Sequence, residues 1–532
     1  MSVSEQAETP WWKGAVVYQI YPRSFFDADG DGTGDLAGIT ARLDHVRDLG
    51  VDAIWVGSFF PSPMADFGYD VSDYCGVDPV FGTMTDLERL LCAAHARGLR
   101  VIIDQVYSHT SEQHPWFGAS RAREDGKSDW YVWSFAKRDG TPPNNWLSLF
   151  GGPAWTWDAS RQQYYLHNFL SEQPDLNFHH PEVRQAILDV AGFWLDKGVD
   201  GLRLDVANFY FCDARLRDNP PAENPDPARP YHHQRHLYDR SRPENLGFVE
   251  ELRRLTDTYE GRMTVAEIGS HSYIERSIEY TEGERRLHTA YNFLLLEGGP
   301  LTSALIRGAL EAWSSPTAWP SWSFSNHDVE RARTRWGGDD APDEFAKMLI
   351  VLLACLRGTI FLYQGEELGL PQARVPRDSL KDPEGIRFWP HGLGRDGART
   401  PFPWCRGAPN SGFSEATPWL PVDPRHDALA VDAQECDPDS VLNMARRALA
   451  VRRTSAALRL GDIVFEDTPE PILSFRRASC GERVYCMFNL GHEPVQVPGP
   501  PGQSSWLLGV PDVALYNSSK LQLAPFGFAV WR

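Results

Sequence analysis

Eight short apolar runs punctuate the first two-thirds of this chain, and most are separated by amphipathic stretches of helical period. The runs are Ala15–Tyr21, Ala53–Gly57, Arg100–Val106, Gly201–Val206, Met263–Ile268, His288–Phe293, Ser321–Ser325 and Thr359–Tyr363. Leu36–Leu49, Asp86–Arg97, Glu182–Lys197 and Glu344–Leu356 carry apolar residues at three- and four-residue spacing, which predicts helices. Strand and helix in alternation predict a parallel sheet, and eight units predict an α/β protein built on a closed (β/α)8 TIM barrel. Between Val106 and Gly201 the gap is too long for a loop and carries Trp116, Trp130, Trp133, Trp146, Trp155 and Trp157, so it predicts an inserted subdomain after strand 3. Beyond Ser455 the pattern changes to short β-like runs broken by Gly and Pro (Ile463–Phe465, Ile472–Phe475, Val484–Phe488, Phe528–Trp531), predicting a C-terminal antiparallel β domain. The expected division is 1–106 with 178–455 for the barrel, 107–177 for the insertion (subdomain B) and 456–532 for a C-terminal β-sandwich. The Pro-rich stretch Asn219–Pro230 reads as a long surface excursion after the fourth strand.

At 532 residues, 42% hydrophobic and 23% charged, the chain can bury a large core. Its formal charge of −20, with no basic stretch to offset it, argues against a nucleic-acid partner and suits a neutral small-molecule ligand. Nineteen tryptophans and eighteen tyrosines supply flat amphipathic surfaces on which sugars stack, although most such rings belong to a core. Eight scattered cysteines without a Cys-x-x-Cys pair read as reduced thiols. Met1–Pro10 lacks a basic-then-apolar leader, and no apolar run is long enough to span a bilayer. The expectation is a cytoplasmic protein without membrane attachment, monomeric or homodimeric.

Chemistry gathers at the strand ends. In Gly201-Leu-Arg-Leu-Asp205 the arginine and the aspartate share a face and can form an ion pair, which by itself is more often structural than functional. Its company changes the odds: Asp104 and His109, Glu267, and His327-Asp328 each end or follow a run of their own. A separate loop, Asp27-Ala-Asp29-Gly-Asp31-Gly-Thr33-Gly-Asp35, places oxygen ligands at alternate positions around a glycine turn, the spacing of a calcium loop. The bidentate Glu of such loops is absent, since Gly38 stands at that position. Asp27, Asp29, Asp31, Thr33 and Asp35 are therefore expected to hold a structural Ca²⁺, with Mg²⁺ as the alternative, and no organic cofactor is expected.

Taken in order, Asp104-Gln-Val-Tyr-Ser-His109, Gly201-Leu-Arg-Leu-Asp205, Ala266-Glu267 and Phe324-Ser-Asn-His327-Asp328 resemble the α-amylase family of glycoside hydrolases over essentially the whole chain. Gln19-Ile-Tyr-Pro-Arg-Ser-Phe, Gln173-Pro-Asp-Leu-Asn177, Tyr363-Gln-Gly-Glu-Glu367 and Arg399-Thr-Pro look like its α-glucosidase and oligo-1,6-glucosidase branch. The resemblance implies Asp205 as nucleophile, Glu267 as acid/base and Asp328 as the third carboxylate, gripping ring hydroxyls. It implies Arg203 as the support of Asp205, Asp104 as a support of Arg203, and His109 and His327 as donors to the sugar. It further implies an Asp66–Arg399 bridge walling off the pocket and Tyr69 as a stacking platform; Phe150 and Phe169 are either pocket lining or core. Ser108 stands where the family usually has Asn, which puts in doubt a second metal site on the insertion. The implied activity is a retaining, exo-acting α-glucosidase on short α-glucosides with transglucosylation to alcohols. Val206 favours α-1,6 bonds, whereas Val206-Ala-Asn-Phe-Tyr-Phe211 looks closer to proteobacterial enzymes that prefer α-1,4 substrates such as maltose. The reading is α-1,4 preference, and an oligo-1,6-glucosidase, a sucrose isomerase and a trehalose synthase are the rivals of the same fold.

Overall fold

The structure, a computed structural model, describes residues 9–225, 229–269, 272–390, 394–499, 504–509, 516–517 and 520–532. Residues 1–8 and part of the Pro-rich excursion, 226–228, lie outside these.

All eight predicted strands form and close into one parallel barrel: β1 Val16–Ile20, β2 Ala53–Val56, β3 Arg100–Gln105, β4 Gly201–Leu204, β5 Met263–Ile268, β6 Thr289–Asn292, β7 Trp319–Ser323 and β8 Thr359–Tyr363. Each strand neighbours the next in sequence, and β8 returns to β1 with Gln19 beside Tyr363. The strands are largely apolar because both faces are buried, with polar residues such as Asp104, Arg203 and Glu267 towards their C-terminal ends. Val17, Ala53, Trp55, Ile102, Met263, Val265, Tyr291 and Phe361 fill the interior, while Val16, Ile54, Val101, Ile103, Leu202 and Leu204 face the helices. Gly201 is required by this packing: a Cβ there would stand 3.0 Å from both Ile102 and Met263.

The predicted helices form within a residue or two of expectation, with one correction. Leu36–Leu49 is two helices, Leu36–Ala41 and Leu43–Leu49, broken at Arg42. There the guanidinium lies over the rings of Phe26 and Trp404, 4.0 and 4.5 Å from their centroids, a tertiary contact that overrides helix continuity. The segment between β3 and β4 carries the helix Pro115–Ala122 and a small antiparallel sheet of Trp133–Ser134, Gln163–Leu166 and Trp155–Asp158.

The C-terminal region contains a five-stranded and a three-stranded antiparallel sheet. Strand alternation in Ile472–Ser479 and Glu482–Asn489 sends Leu473, Phe475, Cys486 and Phe488 into the barrel-side core, and Ile472 and Met487 towards the smaller sheet with Val497, Leu521 and Leu523. Two buried arginines fasten this region. Arg477 donates to the carbonyls of Cys355 and Gly461 at 2.6 and 2.8 Å. Arg452, on helix Val441–Thr454, donates to Ala354, Leu356, Leu458 and Gly14 at 2.8–3.2 Å and also to Gly358. All eight cysteines are free thiols, and no helix among the described residues is long and apolar enough to cross a membrane.

Candidate active site

The parallel register decides which strand ends meet. Asp104 lies beside Arg203 on β3 and β4, and Glu267 lies beside Tyr291 on β5 and β6. Arg203 is fully buried and reaches three carboxylates at once: Asp104 at 2.6 Å, Asp205 at 2.7 Å, and Glu267. The Tyr291 hydroxyl accepts from the same guanidinium at 2.7 Å, and the Trp55 ring lies 4.8 Å beneath it. One cation among three anions leaves excess negative charge in a dry site, so the carboxyls cannot all ionise at their usual values. Burial, reinforced by Asp205 and Asp328, holds the Glu267 carboxyl well above the ordinary range despite Arg203. Burial also raises Asp205, opposed by its bond to Arg203, so the proton resides on Glu267 and the charge on Asp205. Burial raises Asp104 to about 6.

Asp328 sits in a different field. Burial alone would raise it, but His327, Arg399 and Arg395 reverse the direction and hold it below the usual carboxylate range. His327 is itself pushed down to about 3 by burial and is neutral at physiological pH, so the two arginines carry the effect. Hydrogen bonding assigns its tautomer. Gln19 donates to Nδ1 at 2.7 Å, leaving Nε2–H to donate to the Tyr69 hydroxyl at 2.7 Å, which in turn donates to Asp104 at 2.8 Å. His109, lowered to about 4 by burial, contacts Ser108 at 2.8 Å and the Tyr69 carbonyl at 3.0 Å.

A cavity of about 560 Å³ opens over these groups. Asp66, Tyr69, His109, Phe150, Phe169, Asp205, Glu267, His327 and Asp328 all line it, and Phe150 and Phe169 are thus wall residues. Arg203 and Arg399 lie beneath it, fully buried. The expected Asp66–Arg399 bridge is not formed. Arg399 bonds Asp328 at 2.7 Å and the His327 carbonyl at 2.7 Å, whereas Arg395 reaches Asp66 at 2.6 Å and Asp382 at 2.7 Å. Both arginines flank the turn Asp396–Ala398, and the one at its start faces Asp66. Tyr291, Gln173 and Arg395 are the site residues the sequence reading left without a role; Gln173 donates to Asp66 at 3.2 Å.

Val206, directly after Asp205, has φ +34°, a left-handed conformation rare for a β-branched residue. This turn lets its N–H point back at Glu267, 3.3 Å away. On the separate acidic loop, carboxylate oxygens of Asp27, Asp29 and Asp35 lie within 4.8 Å of one another. Asp31 stays outside that cluster and accepts from the Thr33 N–H at 2.7 Å, and Thr33 is buried. Three converging hard oxygens fit a divalent cation of the Ca²⁺ type.

Comparison with known proteins agrees with this geometry. The alpha amylase catalytic domain matches residues 19–461. A probable alpha-glucosidase of Rhizobium meliloti (strain 1021) is 51% identical over 92% of this chain and 91% of its own length. An oligo-1,6-glucosidase of Heyndrickxia coagulans is 36% identical over 94% of this chain and 96% of its own length. Among solved structures, the alpha-glucosyl transfer enzyme XgtA superposes with a TM-score of 0.95 at 51% identity, over 98% of this chain and 99% of the other. The trehalulose synthase MutB from Pseudomonas mesoacidophila MX-45 gives 0.89 at 32% identity, over 98% and 99%. A closed eight-stranded barrel with its carboxylates at the strand ends, matched in sequence and in shape along nearly its whole length, places the chain in the alpha-amylase family of glycoside hydrolases.

Proposed function

We propose that the protein is a retaining, exo-acting α-glucosidase. It releases glucose from the non-reducing end of short α-glucosides, with maltose-like α-1,4 bonds favoured, and transfers glucose to alcohols as well as to water. The observation that carries this reading is the single guanidinium of Arg203 holding both Asp205 and Glu267. Two carboxyls on adjacent nitrogens of one group support the short separation of about 5–5.5 Å used in direct attack, rather than the roughly 6.5–9.5 Å that admits a water. Asp205, kept anionic, attacks the anomeric carbon; Glu267, kept protonated, gives its proton to the leaving oxygen and later takes one from the incoming hydroxyl. Asp328, ionised beside Arg399, accepts from ring hydroxyls more strongly as positive charge develops on the sugar. The Asp66–Arg395 pair closes the pocket behind one glucose, which favours cleavage from the chain end.

A covalent glucosyl-Asp205 is open to any hydroxyl in the acceptor site, and the resemblance to an alpha-glucosyl transfer enzyme favours transfer. Of the five residues expected to hold a structural Ca²⁺, Asp27, Asp29 and Asp35 would be the ones to hold it, and its role would be to brace the loop after β1. A second reading, oligo-1,6-glucosidase, is favoured by Val206 itself and by the Heyndrickxia coagulans relative. Turnover of maltose, isomaltose, sucrose and trehalose by wild type and Val206→Thr separates the readings. Maltose is expected to be the better substrate, and Val206→Thr to move the maltose-to-isomaltose ratio; isomaltose as the better substrate, or trehalulose from sucrose, overturns the α-1,4 reading.

A further inference from the structure

Arg240 lines the same cavity as Asp205 and Glu267, is only 8% exposed, and among the described residues has no carboxylate in ion-pair contact. Instead its guanidinium lies over two rings, 5.4 Å from the centroids of both Phe209 and Tyr231. The buried Tyr231 hydroxyl lies against it and makes no hydrogen bond of ordinary geometry. Asp239, its chain neighbour, is bonded to His236 through one oxygen and acts on Arg240 only through space, beyond ion-pair distance. The Arg395 and Arg399 guanidiniums on the same site are each matched by carboxylates. A buried guanidinium on the cavity wall with a hydroxyl against it and no carboxylate in direct contact can take an anion.

Position tells which part of a substrate it faces. A Cβ on Gly269 would stand 3.9 Å from Arg240 Nη1, and Gly269 is two residues beyond Glu267 at the same strand end. Glu267 faces the leaving oxygen, so Arg240 borders the aglycone, away from the Asp66–Arg395 network that closes on the glucose.

We propose that Arg240 and the Tyr231 hydroxyl form an anion-recognition site on the aglycone side, taking a leaving group or glucosyl acceptor that bears a carboxylate or a phosphate ester. The proposal rests on the glucosidase reading above. In the transfer direction, the bond from the anomeric carbon to Asp205 breaks as a bond to the acceptor hydroxyl oxygen forms. The hydroxyl proton passes to Glu267, Asp205 leaves as carboxylate, and the acceptor's anionic group stays on Arg240 throughout.

The test compares matched neutral and anionic partners: hydrolysis of maltobionate against maltose, and transfer from 4-nitrophenyl α-glucoside to glycerate or glycerol 3-phosphate against glycerol. The expected result is an anionic-to-neutral ratio of kcat/KM that falls at least tenfold in Arg240→Met and is partly restored in Arg240→Lys. Tyr231→Phe, which removes only the hydroxyl, is expected to lower the ratio about threefold and keeps the test open if Arg240→Met misfolds. A preference confined to maltobionate and glycerate assigns a carboxylate site, and one confined to glycerol 3-phosphate a phosphate site. Equal use of neutral and anionic partners by wild type, or a ratio unmoved by Arg240→Met and Tyr231→Phe, overturns the proposal. A wild type that cleaves no α-glucoside refutes the glucosidase reading instead.

Discussion

Arg395 Nη2 lies 2.6 Å from Asp66 Oδ1, a buried pair that joins the segment after β2 to a turn 329 residues later in the chain. The same guanidinium also holds Asp382, so removing it would strand two buried carboxylates, whereas Asp66→Asn keeps shape and removes one charge. Asp66→Asn is expected to lower kcat/KM for maltose by about 10- to 100-fold, from roughly 1.5–3 kcal/mol for a charged hydrogen bond. Initial-rate kinetics check this, and a thermal melt close to wild type separates it from misfolding.

Asp205→Asn and Glu267→Gln are each expected to lower kcat on maltose by about 10³-fold or more, with the circular dichroism of a folded barrel retained. The two differ with an activated substrate. 4-Nitrophenyl α-glucoside needs no proton to depart, so Glu267→Gln should form the glucosyl-enzyme and stall, giving a burst of nitrophenol, and Asp205→Asn should give none. A burst from Asp205→Asn would remove it as the nucleophile.

The pH profile follows from the same charges. Glu267 works protonated and its pKa is raised by burial, then by Asp205 and Asp328, so activity is retained above the pH where an ordinary glutamate ionises and is lost as pH rises through the raised value. Asp328→Asn removes one of those negative charges, and the alkaline limb of kcat/KM is expected to move to lower pH. A limb that stays put or moves up would show that Asp328 does not act on Glu267.

Chelation tests the acidic loop. If Asp27, Asp29 and Asp35 hold Ca²⁺, EDTA should lower the melting temperature and added Ca²⁺ restore it, since a ligand at 100 times its Kd adds about 2.7 kcal/mol. Asp29→Ala, an exposed change, should abolish the response to EDTA. An Asp29→Ala protein that still loses stability in EDTA would place the metal elsewhere.

The barrel and its carboxylates were legible because their signals are local. Each strand is a run of apolar residues bounded by polar ones, and Asp104, Asp205 and Glu267 stand at or just past the ends of those runs. The partner of Asp66 was not legible. Arg395 and Arg399 are four residues apart on one turn, and which of them faces Asp66 is decided by Asp382, in the preceding segment, and by Asp328, far off in sequence. The break at Arg42 was hidden for the same reason, since Phe26 and Trp404 that draw its side chain aside belong to other segments. Arg240 offers no pattern at all: one of several arginines in a long connection becomes notable only when the fold lays it over two rings in the cavity wall.

Arg452 has a consequence for how the molecule is made. Its guanidinium binds the carbonyl of Gly14, just before β1, and that of Gly358, just before β8, and these two strands are the seam where the cylinder shuts. The latch thus lies nearly ninety residues downstream of the last stave it secures. During synthesis, all eight staves leave the ribosome before the residue that locks them together, so a chain truncated ahead of helix Val441–Thr454 keeps every barrel strand and lacks the clasp.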